Sequence, residues 1–410
     1  MSRMEQWPEF FTAEKLAGIG VSEIIRIGAQ ARALAAQGHD MIMLNTGEPD
    51  FPSPDNVRLA GIGAILANQT RYTALDGTPA LKAAIRRKFL RENGLTFSDA
   101  EISVGAGAKQ VLFNILMATL NPGDEVIVPL PCWTSYLDMV RLAGGVPVSV
   151  SCPEEAGFRL AATALRDVVT ERTRWLLLNS PSNPTGAIYS REHLQALGTV
   201  LRDVPHVGVI SDDIYEHVRY NNGQFATMAA VCPDLRPRIV IVNGVSKAYS
   251  MTGWRIGYAA APAGMIAAMA VVQSQCSSNP CSISQVAAIE ALDGPQDSVA
   301  EHCRHFRQRR DMIVDLLNAV PDVRCACPDG AFYAFADVRT LLARQVVRER
   351  GITDDMALCQ YFLNECHVAV VPGSCFGAEG YMRLSYASSE DMIARALARM
   401  TTGVRRLLAP

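Results

Sequence analysis

Between about residue 100 and residue 245, short apolar runs recur, each followed by a loop holding Gly, Pro or Asn and then by apolar residues at helical spacing. The runs are Glu101–Val104, Glu125–Pro129, Val146–Val150, Trp175–Asn179, Val207–Ser211 and Arg238–Asn243, and several are apolar on both faces. A strand apolar on both sides needs cover on both, and alternating helices provide it. The pattern therefore predicts an α/β fold with a mostly parallel central sheet wrapped by helices. Ligands of such sheets gather at the carboxyl ends of the strands, so the loops after these runs are where chemistry is expected.

The flanks read differently. Residues 21–37 carry apolar positions at helical spacing and stop at Gly38, a residue suited to a left-handed cap. A strand-like run, MIMLN, then leads into the turn-rich GEPDFPSPD. Beyond about residue 290 a long charged helix, CRHFRQRRDMIVDLLNAV, precedes the strand-like GAFYAFADV, HVAVVPG and YMRLSYA, which suggests a smaller α+β domain. The expected organisation is an N-terminal segment, 1–50, packing with the small domain, a large domain over 51–290 and a small C-terminal domain over 291–410.

Composition narrows the function classes. A net charge of −3 offers no basic field for nucleic acid or anionic lipid, and no apolar run reaches the ~18 residues of a membrane span. The start of the chain lacks the pattern of a signal peptide, so a cytoplasmic protein is expected. Eleven cysteines form no C-x-x-C pair and read mainly as buried thiols, and Cys325-Ala-Cys327 lacks the histidines that would complete a metal site. His302 and His305, on an Arg-rich helix, read as a solvated face.

Four segments carry candidate chemistry. In IVNGVSKAYSMTGWRIGYA (241–259) a strand runs into Ser246-Lys247, with Arg255 eight residues after the lysine. An apolar surround lowers a lysine's pKa and makes it a usable amine, while a serine and an arginine nearby can hold a phosphate. VGVISDDIYEHV (207–218) ends a strand in Asp212-Asp213 and then Tyr215. Asp212 is placed to serve a heterocyclic ring nitrogen, and Asp213 reads as the cap of a following helix. WLLLNSPSNPTG (175–186) breaks a buried strand into a turn with Asn183 as a side-chain donor. ISVGAGAKQVLFNILMATL (102–120) passes through Gly105 and Gly107 into a helix whose first N–H groups attract phosphate.

Together these segments resemble the fold-type-I pyridoxal-5′-phosphate aminotransferases, in particular the bacterial aspartate aminotransferases with GEPDF, SPSNPTG and SKAYSMTGWRIGY stretches, present here at 47–51, 180–186 and 246–258. The resemblance implies that Lys247 carries the cofactor, Asp212 pairs with its ring nitrogen, and Tyr215 and Asn183 meet its ring oxygen. It implies that Arg255, Ser246 and the backbone of Gly107, Ala108 and Lys109 hold the phosphate, and that Trp133 stacks on the ring. Tyr72 would reach the phosphate of a neighbouring subunit, which makes a homodimer part of the site.

For the substrate, the resemblance assigns the α-carboxylate to Arg383, with the Gly47 backbone opposite. Many aspartate aminotransferases bind the side-chain carboxylate with a partner arginine, but residues 271–285 contain none, and Lys109 matches the lysine thought to replace it. Aspartate or glutamate as donor and 2-oxoglutarate or oxaloacetate as acceptor are expected. The rivals are an aromatic or prephenate-type aminotransferase, a β-lyase, and a ligand-sensing regulator, for which the residues before GEPDF are too few to add a DNA-binding module.

Overall fold

The computed structural model describes residues 13–220 and 223–409. Strand β1 (Ile42–Met43) stands apart from the central sheet, which is built of β2 (Ile102–Gly105), β3 (Glu125–Leu130), β4 (Val146–Ser151), β5 (Thr173–Asn179), β6 (Gly208–Asp212), β7 (Ile239–Gly244) and β8 (Gly257–Ala260) in the order β2-β8-β7-β6-β5-β3-β4. Every pairing is parallel except those of β8. All six expected runs lie in this sheet, with ends shifted by a residue or two. The unforeseen member is β8, whose Gly257, Ala259 and Ala260 give little strand propensity.

The two-faced burial is literal. Ile127, Leu176, Leu178, Val209 and Ile241 join one core, while Val126, Val128, Leu177, Ile210, Val240 and Val242 point to the other face and a second core. Successive side chains of a strand point to opposite faces, so a strand between two helix layers has no polar position to spare. The carboxyl ends come level where β5 and β6 pair Asn179 with Asp212, and β6 pairs Asp212 with Val242 of β7. That rim places the three loops after β5, β6 and β7 side by side.

The C-terminal part is a four-stranded antiparallel sheet, β9 (Arg324–Cys325), β10 (Tyr333–Asp337), β12 (Val371–Pro372) and β13 (Tyr381–Ser385), in the order β12-β13-β10-β9. Between them β11 (Val368–Ala369) pairs in parallel with β1, so the N-terminal segment is joined to this part by hydrogen bonds. The helices Asp297–Asn318 and Glu390–Leu408 cover the small sheet. The second is capped by Ser389 and buries Ile393, Leu397, Met400, Val404 and Leu407, an apolar stripe at helical spacing. Ile214 and Tyr215, just past β6, pack in this same core and bridge the two parts.

The long helix also grips the GEPDF turn. Arg309 binds Asp50 through two hydrogen bonds of 2.6 and 3.0 Å, and its guanidinium lies over Phe51. Phe51 stacks on His302 at 4.3 Å and tilts against His305. Those histidines are therefore half-buried partners of an aromatic ring, not the solvated face expected. Six of the eleven cysteines are buried, whereas Cys276, Cys281 and Cys327 are exposed.

Candidate active site

At the rim of the central sheet lies a cavity of about 320 Å3. Lys247 projects into it from the turn after β7, and its Nζ donates a 2.7 Å hydrogen bond to the carbonyl of Gly47. Enclosure of the amine pulls its pKa down to about 8, with Arg255 and Arg383 pushing the same way and Glu48 and Asp212 opposing. Gly47 must be glycine because a Cβ there would collide with the Tyr333 hydroxyl.

Asp212, the last residue of β6, is fully enclosed. Burial lifts its carboxyl to about 6, against the pull of a 2.6 Å hydrogen bond from the Tyr136 hydroxyl, a longer one from the Ile214 amide and the charge of Lys247. Asp213 caps no helix. It turns away into the protein, accepts from Ser211 Oγ at 2.7 Å, and is held well above the usual carboxylate range by burial. Tyr215 lines the same cavity, with its hydroxyl 2.7 Å from that of Tyr333.

Arg383 rises from β13 into the opposite wall. It is fully buried between the rings of Tyr333 and Phe376, at 4.5 and 4.9 Å, which shields the guanidinium faces and leaves its edge to make hydrogen bonds. One Nη donates to Asn183 Oδ1 at 2.9 Å and the other to the carbonyl of Asn45 at 2.6 Å, while Nε has no partner among the described residues. The Arg383 contact orients the Asn183 amide with its oxygen engaged and its NH2 free to donate. Asn179 completes the wall: its Oδ1 accepts from the backbone N–H of Asn183 and its Nδ2 donates to the Asp212 carbonyl, both at 2.9 Å.

The third side is the start of the helix Ala108–Thr119, where Ala108 and Lys109 line the cavity. Gly107 lies just behind, and a Cβ on it would strike the Arg255 guanidinium. The helix can come this close because position 257 is glycine: any side chain there would meet the backbone of Gly107 and Ala108. Ser246 and Arg255 face the same spot. Lys109 Nζ sits 4.7 Å over the ring of Trp133, and burial together with Arg255 lowers its pKa. Tyr72 is not at this cavity; it is 92% exposed.

Tyr136, Tyr333 and Asn179 were not singled out from the sequence. Tyr136 stands in the first turn of the helix Ser135–Leu142, edge-to-face with Trp133 just before it, and nothing in that run marks its bond to Asp212. Tyr333 is the diagonal cross-strand neighbour of Arg383, since β10 and β13 pair Phe335 with Arg383, and that register is invisible until the strands are paired. The whole arrangement suits a flat, phosphorylated aromatic aldehyde. An amine of lowered pKa is at hand for the aldehyde, an enclosed acid awaits a cationic partner, and two cations with a helix N-terminus await an anion.

The family profile for aminotransferase class I and II matches residues 39–400. An aspartate/prephenate aminotransferase of Cereibacter sphaeroides is 50% identical over 390 residues, 95% of this chain and 98% of that protein. The crystal structure of the aspartate aminotransferase from Rhizobium meliloti superposes with a TM-score of 0.92 at 50% identity, covering 97% of this chain and 99% of that one. The aspartate aminotransferase from Thermus thermophilus with maleate gives 0.89 at 40% identity, covering 96% and 100%. With these likenesses spanning nearly its whole length, the chain belongs to the class I and II aminotransferases, enzymes that work with pyridoxal 5′-phosphate.

Proposed function

We propose that the protein transfers the amino group of aspartate or glutamate to 2-oxoglutarate or oxaloacetate in two half-reactions. One observation carries the reading: a single cavity gathers an amine of lowered pKa, Lys247, with the acid Asp212, the phenol of Tyr215 and the incompletely satisfied guanidinium of Arg383. When bound, pyridoxal 5′-phosphate supplies the electron sink that lets the substrate Cα–H bond ionise. Lys247 would hold it covalently. Asp212 would face its ring nitrogen, where a neighbouring cation draws the acid back to its charged form. Tyr215 and Asn183 would donate to the ring oxygen, Trp133 would cover the ring, and Ser246, Arg255 and the amides at 107–109 would take the phosphate.

Lys247 then has a second duty. Its Nζ, once free, would accept the proton from the substrate Cα and return it to the other reacting carbon. Arg383 would hold the α-carboxylate edge-on and so fix the orientation of Cα, with Gly47 closing the other side. Lys109, on the cavity wall, offers a charge to a second carboxylate. Maleate, named with the Thermus structure, is a four-carbon dicarboxylate of the same charge and length as aspartate's carbon frame. A second reading, an aromatic or prephenate acceptor, is favoured by the Cereibacter relative's name and by the apolar surface that Ile24 and Trp133 contribute to the cavity.

Two subunits would share the site. The helix Asp55–Leu66 leaves Leu59, Ile62 and Leu66 exposed, and Tyr72 projects from the turn that follows, an apolar surface suited to a two-fold partner. The test of function is a half-reaction panel, in which the loaded enzyme is mixed with single amino acids and the bound cofactor's absorbance is followed. Aspartate and glutamate should convert it to the amine form faster than alanine or phenylalanine, and failure of both acids to do so would sink the proposal.

A further inference from the structure

Tyr333 meets three parts of the site at once. Its hydroxyl lies 2.7 Å from that of Tyr215, its ring covers one face of Arg383, and its oxygen fills the space that a side chain at Gly47 would need. It is buried and lines the cavity beside Lys247. A buried phenol next to a second phenol is an exchangeable arrangement: each has one proton to give and lone pairs to accept.

We infer that Tyr333 is a positioning residue that sets the donor strength of Tyr215 toward the cofactor's ring oxygen, an inference that rests on the ring-oxygen role proposed for Tyr215. The pair holds two protons and two oxygens. If Tyr215 gives its proton to the ring oxygen, the bond between the phenols is made by the proton of Tyr333. A phenol that accepts one hydrogen bond becomes the stronger donor in the next, and the effect is larger away from water. The Tyr333 ring, held between Gly47 and Arg383, keeps that hydroxyl aimed. Tyr333 thereby ties the strength of one contact to the cofactor to the sheet that carries Arg383.

The experiment is a spectrophotometric pH titration of the loaded enzyme without substrate, run on wild type, Tyr333→Phe, Tyr215→Phe and the double variant. Tyr333→Phe keeps the ring on Arg383 and removes only the hydroxyl. The expected result is a rise of roughly 0.5–1 pH unit in the midpoint of the absorbance change, the scale of one hydrogen bond. Tyr215→Phe should raise it further, and the double variant should match Tyr215→Phe alone, since Tyr333 then has nothing to act through. A Tyr333→Phe midpoint equal to wild type, with Tyr215→Phe shifted, overturns the inference and leaves the Tyr215 role standing. A Tyr333→Phe shift that persists undiminished in the Tyr215→Phe background also overturns it. Midpoints unmoved by either substitution overturn the Tyr215 role itself and the inference with it.

Discussion

Replacing Lys247 with methionine should abolish transamination and, in the cofactor-free protein, make the fold more stable. The native fold holds this amine at about 8 in place of its ordinary 10.5, which at neutral pH costs on the order of 3 kcal/mol. Methionine has a similar reach and no charge. It gives up the hydrogen bond to the Gly47 carbonyl, worth about 1 kcal/mol, so the net gain should be about 2 kcal/mol and a few degrees in Tm. The pH dependence tests the cause. Because the folded value is depressed, the cost is complete below about pH 8 and fades as pH rises toward 10.5, where the unfolded chain also loses the proton. The gap between variant and wild type should be widest at pH 7 and close by pH 10.5. Calorimetry of the cofactor-free proteins at fixed subunit concentration measures it. A variant no more stable than wild type at pH 7, or a gap constant across that range, refutes the reasoning.

Arg383→Lys, which keeps the charge but loses the planar edge, should lower kcat/KM for amino and oxo acids alike by roughly 50-fold or more, read from steady-state kinetics with both substrates. Lys109→Ala should depress kcat/KM for aspartate and glutamate at least ~10-fold more than for alanine and phenylalanine, and equal losses across the four would remove its role in selectivity. Mixing a Tyr72→Ala variant with a Lys247→Ala variant should restore part of the activity that each lacks, because one site of a hybrid dimer is intact; no recovery on mixing would argue against shared sites. Lys88, fully buried against Glu216 with Glu92 and His217 nearby, should when changed to Met cost about 3–5 kcal/mol of stability in denaturant unfolding, since it leaves carboxylates without their cation.

The central sheet was legible because β3, β5, β6 and β7 are buried on both faces, a demand that the sequence must meet with unbroken apolar runs. Strand β8 was not, because Gly257 answers the close approach of Gly107 and Ala108 and, with the alanines beside it, gives little strand propensity. The same division holds at the site. Lys247, Asp212 and Asn183 announce themselves by lying where a strand runs out, in a loop of unusual composition. Tyr136 and Tyr333 sit inside ordinary-looking runs and become interesting only through partners 76 and 118 residues away. His302 and His305 misled for a related reason: charged neighbours on one helix suggested water, and the ring that covers them, Phe51, is far off in sequence.

The bond between Arg383 and Asn183 spans the small sheet and the loop after β5, joining the group proposed to seize an incoming carboxylate with the one proposed to face the cofactor. A guanidinium has a limited set of N–H directions, so a carboxylate arriving at its edge competes for the hydrogen that Asn183 now receives. Occupancy at one end of the cavity would thereby be relayed to the other through a single shared proton donor, and an empty enzyme would present a differently tuned ring environment from one that has captured its acid.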